Sequence, residues 1–351
     1  MTRIIFVIAF SLVTSAFLTT ASSAGDPHPL FADDAPIKLT ITAPFGELAR
    51  KAERATDQYE ASLDYLGDAP ETHAIKLSAR GISRRSKLLC DFPPLRIEFA
   101  EKPTDASFFD GQNRLKLVTH CKKSSRFQQY YLMEYTAYRF LNVMTPLSLK
   151  VRLAEIDYVD AKNGKVMISR LGFLIEDTDD AARRNDLIEI DTPDISKSQL
   201  DPVHAGRYAV FQYMIGNLDW SMHSGVDGKD CCHNTKLVGA KAAPMNALAP
   251  LPYDFDYSGL VNAPYAVPPE NVSVRNVKQR RYRGFCAHND QALAAAAEFR
   301  SMKSDLVAVV TDNSALEGRT RDSAIKYINA FFDDIADDDA VDKNLFRYCR
   351  D

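Results

Sequence analysis

Residues 215–237 have the sequence IGNLDWSMHSGVDGKDCCHNTKL, and residues 251–259 have the sequence LPYDFDYSG. These segments contain four polar residues within a sequence that is otherwise typical of a protein core: Asp219, Asn234, Asp254 and Asp256. A carboxylate is costly to bury without a partner, so this arrangement needs a physical explanation. The ordinary explanation is that each residue forms a turn or a cap with its own hydrogen bonds.

A shared cation is the alternative explanation for the same residues. Asp254 and Asp256 are two positions apart, so both carboxylates lie on one face of an extended segment. Two like charges on one face favour a bound cation, and Asn234 adds a neutral oxygen ligand. Such oxygen ligands suit Mg²⁺ or Mn²⁺, which commonly accompany phosphates. The two segments therefore predict a metal site that handles a phosphate compound.

The rest of the chain predicts a strand-rich first half and a mainly helical second half. Residue alternation predicts strands within 37–44, 73–81, 94–102, 113–121 and 147–177, and a short hairpin at 235–259. Helix-forming composition and helical spacing predict helices within 45–66, 126–144, 204–218, 289–310 and 320–338. Two lobes, residues 25–180 and 181–351, with a ligand between them are the simplest organisation.

The N-terminal residues 1–24 predict an export signal. A single arginine precedes an apolar run, and small residues precede Gly25, which predicts cleavage near Ala24. The run is too short for a membrane span, and no later stretch of the sequence is long and apolar enough to cross a bilayer. We therefore expect an exported protein, periplasmic or extracellular, with no stable membrane span after the signal is removed.

Because the protein is expected to be exported, its six cysteines are more readily interpreted as disulfide bonds than as metal ligands. They are Cys90, Cys121, Cys231, Cys232, Cys286 and Cys349. An even number in an oxidising compartment predicts disulfide bonds, and several pairings are open. Zinc binding is the alternative, but the sequence has no CxxC or HxxxH spacing to support it.

Composition and missing motifs narrow the function classes. The net charge of −4 gives no overall electrostatic case for nucleic-acid binding. No GxSxG motif is present, so a hydrolase has little support. The order Asp219, Asn234, Asp254 instead matches phosphoryl transfer, in which one Asp orients the acceptor hydroxyl while an Asn and a later Asp hold metal ions.

Several quoted stretches, in order, make the chain similar to a known family. They are IKLSARGISRRSK (75–87), PPLRIEFAEK (93–102), NRLKLVTHC (113–121), YYLMEYTAYRFLNVMTP (130–146), GFLIEDTDD (172–180), GNLDWSMHS (216–224), HNTKL (233–237) and LPYDFDYSG. Together they resemble the CotH family of secreted, atypical protein kinases, over about residues 74–260. The resemblance implies an α+β, two-lobed atypical protein kinase-like fold, with a strand-rich N-terminal lobe and a mainly helical C-terminal lobe.

The resemblance also implies roles for individual residues. Asp219 would be the catalytic residue near the acceptor hydroxyl, with ATP as phosphate donor and a protein Ser or Thr as acceptor. Asn234 and Asp254 would bind Mg²⁺ or Mn²⁺, with Asp256 as a candidate second ligand. Glu134 would pair with a strand lysine that touches phosphate.

Other residues would surround the nucleotide. The strand lysine is either Lys116 or Lys76, since the sequence alone does not choose between them. A turn over the nucleotide would be formed by Arg80, Gly81 and Ser83, with Arg84 and Arg85 adding positive charge.

The chain also departs from the family's pattern. Asp219 and Asn234 are 15 residues apart, and the insertion contains Cys231 and Cys232, for which Cys286 is a candidate disulfide partner. No GxGxxG motif is present. These departures support an alternative function, a catalytically inactive pseudokinase that acts as an envelope or extracellular interaction protein. Two histidines of the insertion, His223 and His233, are candidates for substrate binding or ordinary loop residues.

Overall fold

The computed structural model describes residues 25–104, 106–226 and 229–351. The predicted export signal lies outside the described residues. The strands are β1 (Ile37–Ala43), β2 (Tyr59–Tyr65), β3 (Glu71–Ala79), β4 (Leu95–Phe99), β5 (Arg114–Val118), β6 (Val151–Asp160), β7 (Lys165–Ile175), β8 (Leu187–Ile190), β9 (Thr235–Ala240) and β10 (Ala249–Pro252). The helices are α1 (Phe45–Lys51), α2 (Gln128–Met144), α3 (Thr178–Arg183), α4 (Pro202–Ile215), α5 (Asn289–Ser301), α6 (Lys303–Thr311), α7 (Gly318–Asp334) and α8 (Asp338–Asn344).

Seven strands close into a barrel in the order β1-β2-β3-β4-β5-β7-β6. All neighbours run antiparallel except β1 and β6, whose parallel pairing closes the barrel. Alternate residues of β1, including Ile37, Leu39 and Ile41, are buried, as a strand with one face on a core requires. The aromatic rings of Phe45 and Tyr158 pack in the same core, with their centroids 5.4 Å apart.

The predicted two-lobed atypical protein kinase-like fold is wrong. Instead of a strand-rich N-terminal lobe and a mainly helical C-terminal lobe, the chain forms a closed, mixed, seven-stranded barrel with additional helices and a second sheet. Alternation located most of the strands, but it carries no information on closure. Closure depends on a pairing between strands far apart in sequence, in which Ile41 of β1 lies opposite Tyr158 of β6.

The predicted helical insertion at 45–66 is also only partly correct. Helix α1 ends at Lys51, and the second half of this segment forms strand β2. Strand β2 pairs with β1 on one side and with β3 on the other. These two ladders outweigh the helix-forming composition of the segment, because strand preference depends strongly on tertiary context.

Helix α4 precedes the loop of residues 216–234, and strand β9 of the second sheet follows that loop. Strands β8, β9 and β10 form an antiparallel sheet in the order β10-β9-β8. Helix α4 begins after Asp201, whose carboxylate accepts a hydrogen bond from the His204 backbone N–H at 2.8 Å. It ends at Gly216, whose φ of 63° is the left-handed conformation that favours glycine. The loop that contains Asp219 follows Gly216 directly.

The cysteines form three pairs, Cys90–Cys121, Cys231–Cys232 and Cys286–Cys349. The prediction of disulfides is confirmed, and the pairs are compatible with an exported protein. The suggested link from the insertion to Cys286 is wrong, because Cys286 lies beside Cys349 and the two insertion cysteines pair with each other. Across the described residues, every helix is too short or too polar to cross a membrane.

We expect the three disulfides to contribute unequally to stability. Replacing Cys286 and Cys349 by serine should lower the free energy of unfolding by about 4 kcal/mol, because this bond spans a sequence separation of 63. The same change at Cys231 and Cys232 should cost only about 1 kcal/mol, since a separation of 1 hardly restrains the unfolded chain. Urea unfolding of both double variants measures the difference. Equal losses would contradict loop closure as the cause.

Candidate active site

The four polar residues that opened the sequence analysis line one cavity of about 450 Å³. Asp219 lies in the loop after α4, Asn234 immediately precedes β9, and Asp254 and Asp256 follow β10. The turn after β3 closes the same cavity with Arg80, Gly81, Ile82 and Ser83. The structure therefore brings together side chains that the sequence places in three separate segments.

Asp219 is held by a set of short hydrogen bonds. Its backbone N–H donates to Asn217 Oδ1 at 3.0 Å. Asn234 Nδ2 donates to the Asp219 backbone oxygen at 2.7 Å and to Asp219 Oδ2 at 3.0 Å. His233 Nε2 lies 2.7 Å from Asp219 Oδ1, and this hydrogen bond raises the pKa of His233. The carboxylate is thus oriented by both neighbours and remains about one-third exposed to the cavity.

Asn234 and Asp254 both have left-handed backbone conformations, with φ of 50° and 64°. Such conformations are uncommon for residues other than glycine and are concentrated at functional sites. Hydrogen bonds hold them in place: Tyr253 N–H donates to the Asn234 backbone oxygen at 3.2 Å, and Asp254 N–H donates to Tyr138 Oη at 3.0 Å. The fold therefore holds a left-handed backbone at two of the predicted metal ligands, a conformation that Asn and Asp adopt more readily than other residues with a side chain.

Asp256 is the most deeply buried of the three site carboxylates, with 5% of its surface exposed. Burial, followed by the nearby charge of Asp254, raises its pKa to about 7, while Arg84 acts in the opposite direction. Tyr265 Oη donates a hydrogen bond to Asp256 Oδ2 at 2.8 Å. A divalent cation would relieve the repulsion between these two acids, so the donor set fits the predicted Mg²⁺ or Mn²⁺.

Glu134 of α2 pairs with an arginine and not with a strand lysine. It is 2% exposed, and its Oε2 lies 3.4 Å from the guanidinium of Arg84. Arg84 also donates to the Thr119 backbone oxygen at 3.0 Å. Burial, with the charges of Asp256 and Asp254, raises the pKa of Glu134 well above its usual value, and Arg84 lowers it. The arginine from the turn thus supplies the positive charge beneath the cavity.

The structure separates the two candidate lysines. Lys116 lines a small cavity together with Glu134, Asp254 and Arg80. Burial, followed by the positive charge of Arg80, lowers the pKa of Lys116 to about 8. Lys76 is exposed, and its Nζ lies 3.8 Å from Glu60 Oε1. Lys116 is therefore the lysine that lies close to the other predicted site residues.

A third compartment, of about 350 Å³, lies on the other side of Lys116. Ionisable side chains form most of its lining: Arg96, Arg114, Lys116, Asp177, Asp179, Glu189, Asp191 and Lys236. Three of its carboxylates, those of Asp177, Asp179 and Glu189, offer ligand atoms within 4.8 Å of one another. The sequence analysis missed this group, although its acidic run was a visible signal.

That acidic group already has cationic neighbours in the structure. Asp177 lies 2.5 Å from Arg114, and Glu189 lies 2.6 Å from Lys236. Because arginine and lysine neutralise two of the three carboxylates, the group is better described as a charged lining than as a metal site.

Residues 275–283 contain four arginines and one lysine, and one of these arginines contacts the loop around Asp219. Arg283 donates to the Leu218 backbone oxygen, and its guanidinium lies 5.1 Å from the ring centroid of Trp220. It therefore holds the residues on both sides of Asp219. The second insertion histidine, His223, is outside this network: burial lowers its pKa, and its ring lies 5.6 Å from that of Phe285.

Comparisons with known proteins do not extend this description. No protein-family model matches the chain, and no curated protein matches it. The similarity to the CotH family therefore rests on the quoted motifs alone.

Proposed function

We propose that this chain is an exported, metal-dependent phosphotransferase of the CotH type, acting in the periplasm or outside the cell. It would transfer a phosphoryl group from ATP to a hydroxyl acceptor. The observation that carries the proposal is the convergence of Asp219, Asn234, Asp254 and Asp256 on one cavity. Their chemistry matches the acceptor-orienting and metal-holding groups that phosphoryl transfer requires.

The arrangement of the cavities supports a nucleotide as the donor. The cavity at Asp219 and the small cavity share Arg80, Tyr253 and Asp254, and the small cavity shares Lys116 with the charged compartment. We place the triphosphate beside Arg80 and Lys116, where cations offset its charge.

The predicted metal ligands are Asn234, Asp254 and Asp256. A bound Mg²⁺ or Mn²⁺ offsets the charge of the phosphate oxygens during transfer. Arg84 lies behind the acids and limits their mutual repulsion, because its charge lowers the pKa of both Asp256 and Glu134.

Asp219 would position the acceptor and receive its proton. The acceptor oxygen forms a bond to the terminal phosphorus while the bond from that phosphorus to the bridging oxygen breaks, and ADP leaves. The hydroxyl proton passes to Asp219, which later releases it to water. Asn234 and His233 hold the carboxylate in orientation through their hydrogen bonds at 3.0 and 2.7 Å. A serine or threonine of a protein supplies the acceptor.

Thermal unfolding with and without ligands tests the proposal. Residues 25–351 should gain a higher melting temperature with ATP plus Mg²⁺ or Mn²⁺, and neither ligand alone should give the full shift. Asp254→Ala should lose most of the shift. The proposal fails if several nucleotide and metal pairs leave the melting temperature unchanged.

A binding protein without transfer activity is the second candidate. It is favoured by the absence of the lysine–glutamate ion pair that active protein kinases require. Glu134 pairs with Arg84 instead, and Lys116 has no ion-pair partner within 4.0 Å in the part of the chain that the structure describes. Ligand-dependent stabilisation without phosphate transfer to any acceptor would support this function.

Nucleotide binding is expected to weaken as the pH rises above about 8. The amine of Lys116 is positively charged below its pKa of about 8 and neutral above it, so its attraction to phosphate is lost with increasing pH. Bound phosphate raises the pKa of the amine, so the loss is complete only at still higher pH. Calorimetric titrations with ATP and Mg²⁺ between pH 7 and 10 measure the effect.

Lys116→Arg is the matched control, because its guanidinium keeps its charge over this range and should give a flatter profile. A flat profile for the unmodified protein would remove Lys116 from the phosphate site.

A further inference from the structure

A separate cavity of about 580 Å³ lies between the start of α2 and the start of α7. Three exposed cations line it: Arg126, Lys278 and Arg319. In the described residues none of them lies within 4.0 Å of a carboxylate. Glu317 is the one acidic residue of the lining, so the described lining has an excess of positive charge.

A row of aromatic side chains connects this basic cavity with the cavity at Asp219. The ring centroids are 5.7 Å apart from Tyr257 to Tyr265, 6.4 Å from Tyr265 to Phe127, and 5.1 Å from Phe127 to Tyr130. Tyr257 lines the cavity that contains Asp219, and Tyr130 lines the basic cavity. All four residues are partly exposed at the surface.

We propose that the aromatic row and the basic cavity together form the docking surface for an acidic segment of a protein acceptor. This inference rests on the proposed function, because it places the acceptor hydroxyl at Asp219. Partly exposed tyrosine and phenylalanine suit contacts with peptide side chains, and they are enriched at protein interfaces. Unpaired arginine and lysine favour carboxylates through charge-assisted hydrogen bonds.

The geometry also limits where the acidic residues lie. An extended peptide rises roughly 3.3 Å per residue, so it would take about five residues to follow the aromatic row from the Asp219 cavity to the basic cavity. The acceptor would therefore carry Asp or Glu about four to seven residues from the phosphorylated hydroxyl. The aromatic row accommodates a peptide in either N-to-C direction. The test therefore includes peptides with the acidic residues before the serine and peptides with them after it.

The experiment measures binding and transfer separately. Each fluorescent peptide carries one serine, and Asp, Asn or Lys is placed about four to seven residues away from it. One set of peptides has these residues before the serine, and a second set has them after it. Binding is read by fluorescence anisotropy at low salt, and transfer is read by mass spectrometry with ATP and Mg²⁺. The double variant Arg126→Glu, Arg319→Glu changes the basic cavity at exposed positions. Arg54→Glu, Lys241→Glu is its control, with the same change in net charge at exposed positions outside the cavity.

We expect the Asp peptide of one polarity to bind best, with affinity reduced about tenfold or more by the cavity variant and little changed by the control. If both variants weaken peptide binding equally, the proposed docking surface is overturned, because the effect then comes only from long-range electrostatics. Equal binding of the Asp and Asn peptides would overturn it as well. Tighter, Arg126-dependent binding of an anionic polysaccharide would overturn the assignment to a peptide.

The two proposals can fail independently. Selective binding of the Asp peptide without phosphate transfer would preserve the docking surface and contradict the phosphotransferase. Transfer to all three peptides at equal rates, with equal affinities, would preserve the phosphotransferase and contradict the docking surface.

Discussion

Asp219→Asn is expected to lower the rate of phosphoryl transfer by about 10³-fold, while the fold is retained. The substitution keeps the size and shape of the side chain, so its neighbours His233 and Asn234 still have a polar partner. It removes the carboxylate that, in the proposed function, orients the acceptor hydroxyl and receives its proton. A neutral amide cannot receive that proton, and the rate falls because the chemical step loses its base.

The measurement is single-turnover transfer from ATP to the acceptor with the metal ion present. Nucleotide affinity should change little, since Asp219 is proposed to contact the acceptor and not the triphosphate. Asp290→Asn, at an exposed position of α5, is a control for the loss of one negative charge and should leave the rate unchanged. A rate within a few-fold of the unmodified protein for Asp219→Asn would show that another group performs this role.

Arg84→Met is expected to lower the free energy of unfolding by about 3–5 kcal/mol at pH 7. Arg84 and Glu134 are both buried, with exposed fractions of 7% and 2%. Removing the guanidinium leaves Glu134 and Asp256 as neighbouring buried acids without their cation. It also leaves the Thr119 backbone oxygen without the donor that now lies at 3.0 Å. An unpaired buried charge is far more costly than the pair, because no water replaces the lost partner.

The loss of unfolding free energy in the Arg84→Met variant should increase as the pH rises. Burial raises the pKa of Glu134 and of Asp256, so the folded state binds their protons more tightly than the unfolded chain does. A group whose pKa is raised on folding contributes stability at low pH and loses it as the pH rises. The deficit of the Arg84→Met variant should therefore be smaller at pH 5 than at pH 7. Urea unfolding at the two pH values measures it.

Glu134→Gln provides the matched comparison for this prediction. It removes one of the three neighbouring carboxylates and keeps the shape of the side chain, and Asp256 remains close to Arg84. We therefore expect a smaller loss than for Arg84→Met. Equal losses would show that packing around the side chains, and not the unpaired acids, sets the cost.

The local sequence was sufficient to find the polar residues of the candidate site. Asp219, Asp254 and Asp256 are conspicuous because each lies beside apolar residues, and the cost of burying a polar group applies whatever the fold. Alternation likewise located the barrel strands apart from β2, since a strand with one buried face has a period of two residues. The even number of cysteines correctly predicted disulfides but not their partners.

Other properties depend on contacts between residues that are distant in sequence. The closed barrel requires the parallel pairing of β1 with β6, and no pattern within either strand specifies that partner. The same is true of Arg84 beside Glu134, of Lys116 near the acids, and of the aromatic row from Tyr257 to Tyr130. Periodicity reports which face of an element is buried. Which element covers that face is decided only when the whole chain packs, because packing free energy depends on the shape and charge of both partners.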